Sequence, residues 1–268
     1  MGRRFAFRIF VTFTFLFLVA PIISVAVSSV SGGAIFVFPP SAFTLKWYSH
    51  IPLSYLQALK VSLEVGAGAT AIAVIVGVPA GLALVRGHLP GSRTLSAVCL
   101  MPLMVPSLVI GVAALQFTNV IFDEFHLSLV ETVFGLTLAH SAFTIPFVVR
   151  AVIAGQVQLN GDLENAAMNL GARPMRVFVT VTLPMLGPAV LSGAIAAFLI
   201  SFDDVPIALF LGGGEVTTLP VRILNSIQFD LSPAILALST LVAGSILILI
   251  ALCGKVFGLD KVFGTVKS

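Results

Sequence analysis

The sequence predicts an all-α integral membrane protein, and three observations carry that prediction. The chain has 268 residues, of which 58% are hydrophobic and only 9% charged, whereas soluble domains carry about a quarter charged residues. Its mean hydropathy is +1.12. The apolar residues also come in continuous runs, several near the ~20 residues that a helix needs to cross a bilayer. A transmembrane β-strand would alternate instead. Within lipid only a helix satisfies its own backbone groups inside one such run.

The first run, "MGRRFAFRIFVTFTFLFLVAPIISVAVSSV", has a positive head and an apolar body. It lacks a clean small-residue cleavage site, so it reads as a retained span and not a signal peptide. Six spans follow from the pattern: Ile9–Val30, Tyr55–Val85, Leu95–Phe117, Thr132–Ala154, Met185–Val205 and Ala234–Cys253. The second exceeds what a bilayer requires, so it tilts or its first turns stand outside the hydrocarbon. The third places Pro102 and Pro106 in mid-membrane, which predicts a kink beside a cavity or a neighbouring helix.

Basic residues set the orientation. Arg3, Arg4, Arg8, Arg86, Arg93, Arg150, Arg173, Arg176, Lys255, Lys261 and Lys267 fall on one face, and only Lys46, Lys60 and Arg222 on the other. Both termini are therefore expected in the cytoplasm. Trp47 and Tyr48 suit the outer interface, and Asp123, Glu124, Glu215 and Asp230 also fall outside. No linker or repeat divides the chain, so residues 1–268 read as one membrane domain.

Several chemistries are excluded. There is no G-x-x-x-x-G-K-[ST] phosphate loop, and no metal or catalytic constellation. His50, His88, His126 and His140 are scattered and read as structural or interfacial. Cys99 and Cys253 fall in apolar runs and read as small buried hydrophobes. The chain is not expected to be an enzyme, to bind a cofactor or metal itself, or to bind nucleic acid. Its surroundings are membrane lipid.

One segment breaks the apolar pattern. Residues 156–184 turn polar, small and basic, and "ENAAMNLGA" at 164–172 reads as a short amphipathic helix on the cytoplasmic side. Asp162 can cap it and Glu164 lies in its first turn. Ala166, Ala167 and Leu170 give it a small, apolar side, and Gly171 supplies a left-handed stop. Two readings follow from the residues: a plug for a partner's groove, or a linker lying on the inner leaflet.

The stretch "ENAAMNLGARPMRVFVTVTLPMLGPAV" resembles the EAA loop of ABC importer permeases, whose pattern is Glu-Ala-Ala, three residues, Gly, then a spaced Leu-Pro. Ala166, Ala167, Gly171 and Leu183–Pro184 match. Asn165 stands in the place of the motif's glutamate, with Glu164 one position earlier. "FTLKWYSHI", "AHSAFTIPFVVRAV", "SFDDVPIALFLGGG" and "TLPVRILNSIQFDLSPAILALSTL" extend a likeness to the spermidine/putrescine-type permeases over nearly the whole chain.

That resemblance implies a type I importer permease fold in a bacterial inner membrane. It implies a segment from Glu164 to Ala172 that docks on a cytoplasmic ATPase dimer, which would hold ATP and Mg. It further implies a second, different homologous permease chain and an external solute-binding protein. A polyamine is the implied solute; an amino-acid derivative or an opine is the alternative. An ion-coupled secondary transporter, the rival from another class, would place ionisable groups near the midplane on repeated halves. Many polyamine-type relatives have an acid after the proline that corresponds to Pro106; here it is Ser107.

Asp203 and Asp204 close the fifth span near the outer interface. They sit at the negative end of the helix dipole and repel each other. Such a pair needs compensation: Arg222 or Lys46, a cap on the following loop, or a substrate amine. They are candidates for the substrate path on the last of these readings. Glu64 has Lys60 one turn away and reads as a structural pair.

Overall fold

The computed structural model describes residues 2–33, 40, 42–87, 90–159, 161–229 and 233–257. His88, Asp230, Lys261 and Lys267, and the side chains of Arg3 and Cys253, lie outside the described residues. Twelve α-helices are described: α1 (Gly2–Ser29), α2 (Lys46–Ser49), α3 (Leu53–Arg86), α4 (Ser92–Leu100), α5 (Ser107–Phe125) and α6 (Val133–Gln158), then α7 (Asp162–Asn169), α8 (Pro174–Val177), α9 (Leu183–Asp203), α10 (Pro206–Leu211), α11 (Leu219–Phe229) and α12 (Pro233–Phe257). Among the described residues five stretches are long and apolar enough to cross a membrane: Arg4–Ser29, Leu53–Arg86, Ser107–Phe125, Val133–Val157 and Pro174–Asp203. A shorter apolar stretch, Pro233–Ile248, lies in α12.

Five of the six expected spans correspond to single long helices or, for the fifth, to a nearly continuous one. The span expected at Leu95–Phe117 does not. It is two helices, α4 and α5, joined by a 3-10 turn at Met101–Met104 and an extended Val105. The cause is the pair of prolines: each removes a backbone donor, and Pro106 drives the residue before it out of the helical region. A kink was expected there; the outcome is a break.

Contacts divide the chain into two units, residues 1–57 with 222–252, and residues 58–221 with 253–268. In the first unit the aromatic pair after α1 ties down that helix's end. Trp47 Nε1 donates to the Ser31 carbonyl at 2.7 Å, and the Tyr48 hydroxyl lies 2.6 Å from the Ser29 hydroxyl. Lys46 stands over the Trp47 ring and Arg222 over the Tyr55 ring, whose hydroxyl meets Ser226 at 2.7 Å.

The second unit is built on α6 packed along α9, with α10 seated on α5. Water cannot drive helix association inside a bilayer, so close approach of backbones over small residues does. A Cβ added at Gly193 of α9 would sit 3.0 Å from the Ala151 Cβ and 3.0 Å from the Val148 Cα of α6. Gly77 and Gly81 of α3 meet Val148 and Val152 in the same way. The apolar cluster here is Ala73, Val78, Val148, Val152 and Ala197. A second cluster joins Val61, Val65 and Leu136 to Ile207, Ala208 and Leu211 of α10.

Gly193→Val is expected to force α9 off α6 and to lower stability by about 1–3 kcal/mol. Gly187→Ala, on the same helix with nothing within 4 Å of the new methyl, is expected to be neutral or stabilising. Thermal unfolding of the detergent-solubilised protein checks both.

Candidate functional site

The loop between α6 and α9 forms as a helix with a glycine at each end. Gly161 takes the N-cap position and makes no side-chain bond, while Asp162 opens the first turn instead of capping it. At the other end Gly171 has φ +86°. Its amide donates to the Met168 carbonyl at 2.9 Å and that of Ala172 to the Ala167 carbonyl at 3.1 Å. This pairing satisfies the last carbonyls of the helix and requires the left-handed residue.

The faces of α7 differ from the expected grouping. Ala166 and Leu170 are exposed, together with Leu163 and Met168, and Leu170 retains 89% of its surface. Ala167 and Glu164 face inward and are half-buried. Adjacent residues on a helix are about 100° apart, so the two alanines cannot share one side. Leu163, Ala166 and Leu170 follow the i, i+3, i+7 spacing of one face. Asn165, Gly171 and Asn169 are exposed beside it.

Glu164 has the contacts that the inner side of α7 needs. Its Oε1 accepts from Arg86 at 2.8 Å and from the Thr182 hydroxyl at 2.6 Å. Burial opposes the charged carboxylate, but Thr182 and Arg86 together outweigh it and hold Glu164 below the usual carboxylate range. Thr182 is the last residue of a π-helical turn, Phe178–Thr182, that leads into α9. Turns of this kind concentrate at functional sites.

The adjacent acids Asp203 and Asp204 have unlike surroundings. Asp204 is buried, and its Oδ1 accepts from the Ile207 amide at 2.7 Å at the start of α10. The Ser107 side chain lies near this carboxylate. Asp204 thus meets the positive start of α10, which offsets the cost expected at the end of α9. Asp203 is exposed. Among the described residues no ion pair reaches either acid; the two pairs present are Lys60–Glu64 at 3.6 Å and Arg86–Glu164.

Other expected features take structural positions. His140 is fully buried and bonds to Ser201 at 2.9 Å, tying α6 to α9. His126 ends α5 in a left-handed conformation, and His50 bonds to the Lys46 carbonyl. The glycine run 212–214 turns tightly, with Gly213 and Val216 exchanging backbone bonds, and the Glu131 carboxylate lies against Gly213.

Residues 73–258 match the family described as the binding-protein-dependent transport system inner membrane component. The chain belongs to that family. It is 32% identical over 235 residues to the putrescine transport system permease protein PotI of Escherichia coli K12, covering 87% of this chain and 83% of that one. It is 28% identical over 257 residues to the spermidine/putrescine transport system permease protein PotC of the same strain, covering 95% and 94%. Its fold resembles the crystal structure of a bacterial ABC transporter that imports the acidic polysaccharide alginate, with TM-score 0.69, 15% identity and 94% and 96% coverage.

As a member of this permease family the chain is a multi-pass membrane component of an ABC importer. It has no catalytic role of its own, and ATP hydrolysis belongs to a separate subunit. The contacts around α7 include residues that sequence reading assigned no part. Arg86 counted only toward orientation, and Gln156 and Thr182 only as members of a polar stretch. The one sequence signal was Arg86 itself, a charge at the end of a span that the segment 156–184 must face. Ser107, where the resemblance implies an acid, lies near one supplied by Asp204.

Removing the Asp204 cap, as in Asp204→Ala, is expected to cost about 0.5–2 kcal/mol. Asp203→Ala is expected to stay within about 0.5 kcal/mol of wild type. Denaturation of the two variants in matched detergent measures the difference.

Proposed function

We infer that the chain is the permease of a polyamine importer, taking putrescine or spermidine across the bacterial inner membrane. The observation that carries this reading is the likeness to PotI and PotC, which runs through most of all three chains. Six spans with both termini in the cytoplasm fit the bias of its basic residues. Residues 1–268 then form one permease domain, with the loop 156–184 on the cytoplasmic side. The rest of the importer is an ATPase dimer holding ATP and Mg, a second, homologous permease chain, and an external binding protein that delivers the solute.

Transport proceeds by alternating access. ATP binding closes the ATPase pair and carries α7 with it; the gate between the permeases turns outward, and hydrolysis resets it. Glu164, Asn165, Ala166, Ala167, Leu170, Gly171 and Ala172 make the coupling segment. The exposure of Leu163, Ala166 and Leu170 supports it, because an apolar face on a short polar helix seeks a partner's groove. On the substrate path the reading favours Asp203 over Asp204. A carboxylate already committed to a helix start has less to offer a passing ammonium group than an exposed one.

Cells expressing the complete transport operon are expected to take up labelled putrescine and spermidine only when this chain is present. Asp203→Asn is expected to weaken uptake about tenfold, the scale of one charge-assisted hydrogen bond, at unchanged membrane abundance. Unaltered uptake would remove Asp203 from the path, and no polyamine uptake by wild type would remove the solute assignment. Gly171→Val, which cannot hold φ +86° without strain, is expected to abolish uptake while the protein still inserts. Normal transport by that variant would dismiss α7 as the coupling helix.

A further inference from the structure

Arg86 ends α3, and its side chain meets two other segments at once. Nε donates to Gln156 Oε1 at 2.6 Å in the last turn of α6. A terminal nitrogen donates to Glu164 Oε1 at 2.8 Å on α7. The same carboxylate oxygen accepts from Thr182, directly before α9. One guanidinium and one carboxylate therefore connect the ends of α3, α6 and α9 to α7. Arginine suits this task because its rigid fork directs donors to two acceptors in fixed geometry.

Only Glu164 and Ala167 of α7 face inward, and alanine offers no directional bond. Both flanking glycines have nothing within 4 Å of where a side chain would begin. A helix joined to its neighbours through two such points can pivot unless a directed contact stops it. The π turn at Phe178–Thr182, next to that contact, departs from the regular ladder of α9 and is a place where its pitch can change.

We propose that Arg86 is the positioning residue for energy coupling: paired with Glu164, it clamps α7 to the inner ends of α3 and α6, and through the same carboxylate to the start of α9, so that force on the exposed face of α7 moves all three helices together. This rests on the reading of α7 as the coupling helix and is independent of the solute. Without the clamp, movement of α7 dissipates in the loop and ATP is hydrolysed with little transport.

The test uses the complete transporter in lipid vesicles, with ATPase, second permease and binding protein. Arg86→Met and Glu164→Gln are each expected to assemble, to continue hydrolysing ATP, and to import about tenfold less putrescine per ATP, the scale of one hydrogen bond to a charged group. Nitroxide labels at Val85→Cys and Asn169→Cys give a second readout that needs no solute. Wild type is expected to show one narrow distance with and without ATP, and Arg86→Met a broad one. The exchange of the pair, Arg86→Glu with Glu164→Arg, is expected to restore the narrow distance. Arg86→Met with a distance as narrow as wild type overturns the proposal, as does an assembled exchange variant whose distance stays broad. Wild-type vesicles that import no polyamine would count against the solute alone, since the label distances report the clamp directly.

Discussion

Helices α6 and α9 approach so closely that a side chain on Gly193 would press on the backbone at Val148, and the segment between them has to turn back within a short span of chain. The geometry of α7 and α8 follows from this constraint. A bilayer provides no hydrophobic drive for helices to associate, so the approach depends on glycine and alanine at the contact. His140 and Ser201 add a buried polar bond along the same interface. With the two helices held together, the polar loop between them emerges at a defined place, where Arg86 of α3 can reach it.

The loop then separates two tasks by helix face. Its inner side is charged and directed, through Glu164; its outer side is apolar and free, through Leu163, Ala166 and Leu170. On the coupling role proposed for it, α7 needs both: a surface a partner can grip, and a connection to the spans that does not slip. The glycines at its ends relieve the chain of any competing preference, and Gly171 in its left-handed conformation stops the helix before it runs into the next segment.

The acids near the end of α9 show how local packing redistributes roles within a dipeptide. Asp204 is committed to the start of α10, near Ser107, and Asp203 is left outside. Ser107 opens α5, and the carboxylate near it is supplied from a different element, the end of α9. A residue-by-residue reading along one helix cannot detect such a meeting, because the two positions are far apart in sequence and come together only when α10 docks on α5.

Hydropathy alone determined the all-helical membrane class and most of the long helices, because a run of apolar residues in lipid has only one way to satisfy its backbone. The short helix at 162–169 and its glycine stop were legible for the same local reason: left-handed termination is written in one residue. Tertiary structure decided the rest. It gave Asp203 and Asp204 different surroundings, and brought Arg86, Gln156, Glu164 and Thr182 together. These outcomes depend on which side chains from distant segments share a few ångströms, and no local propensity encodes that distance.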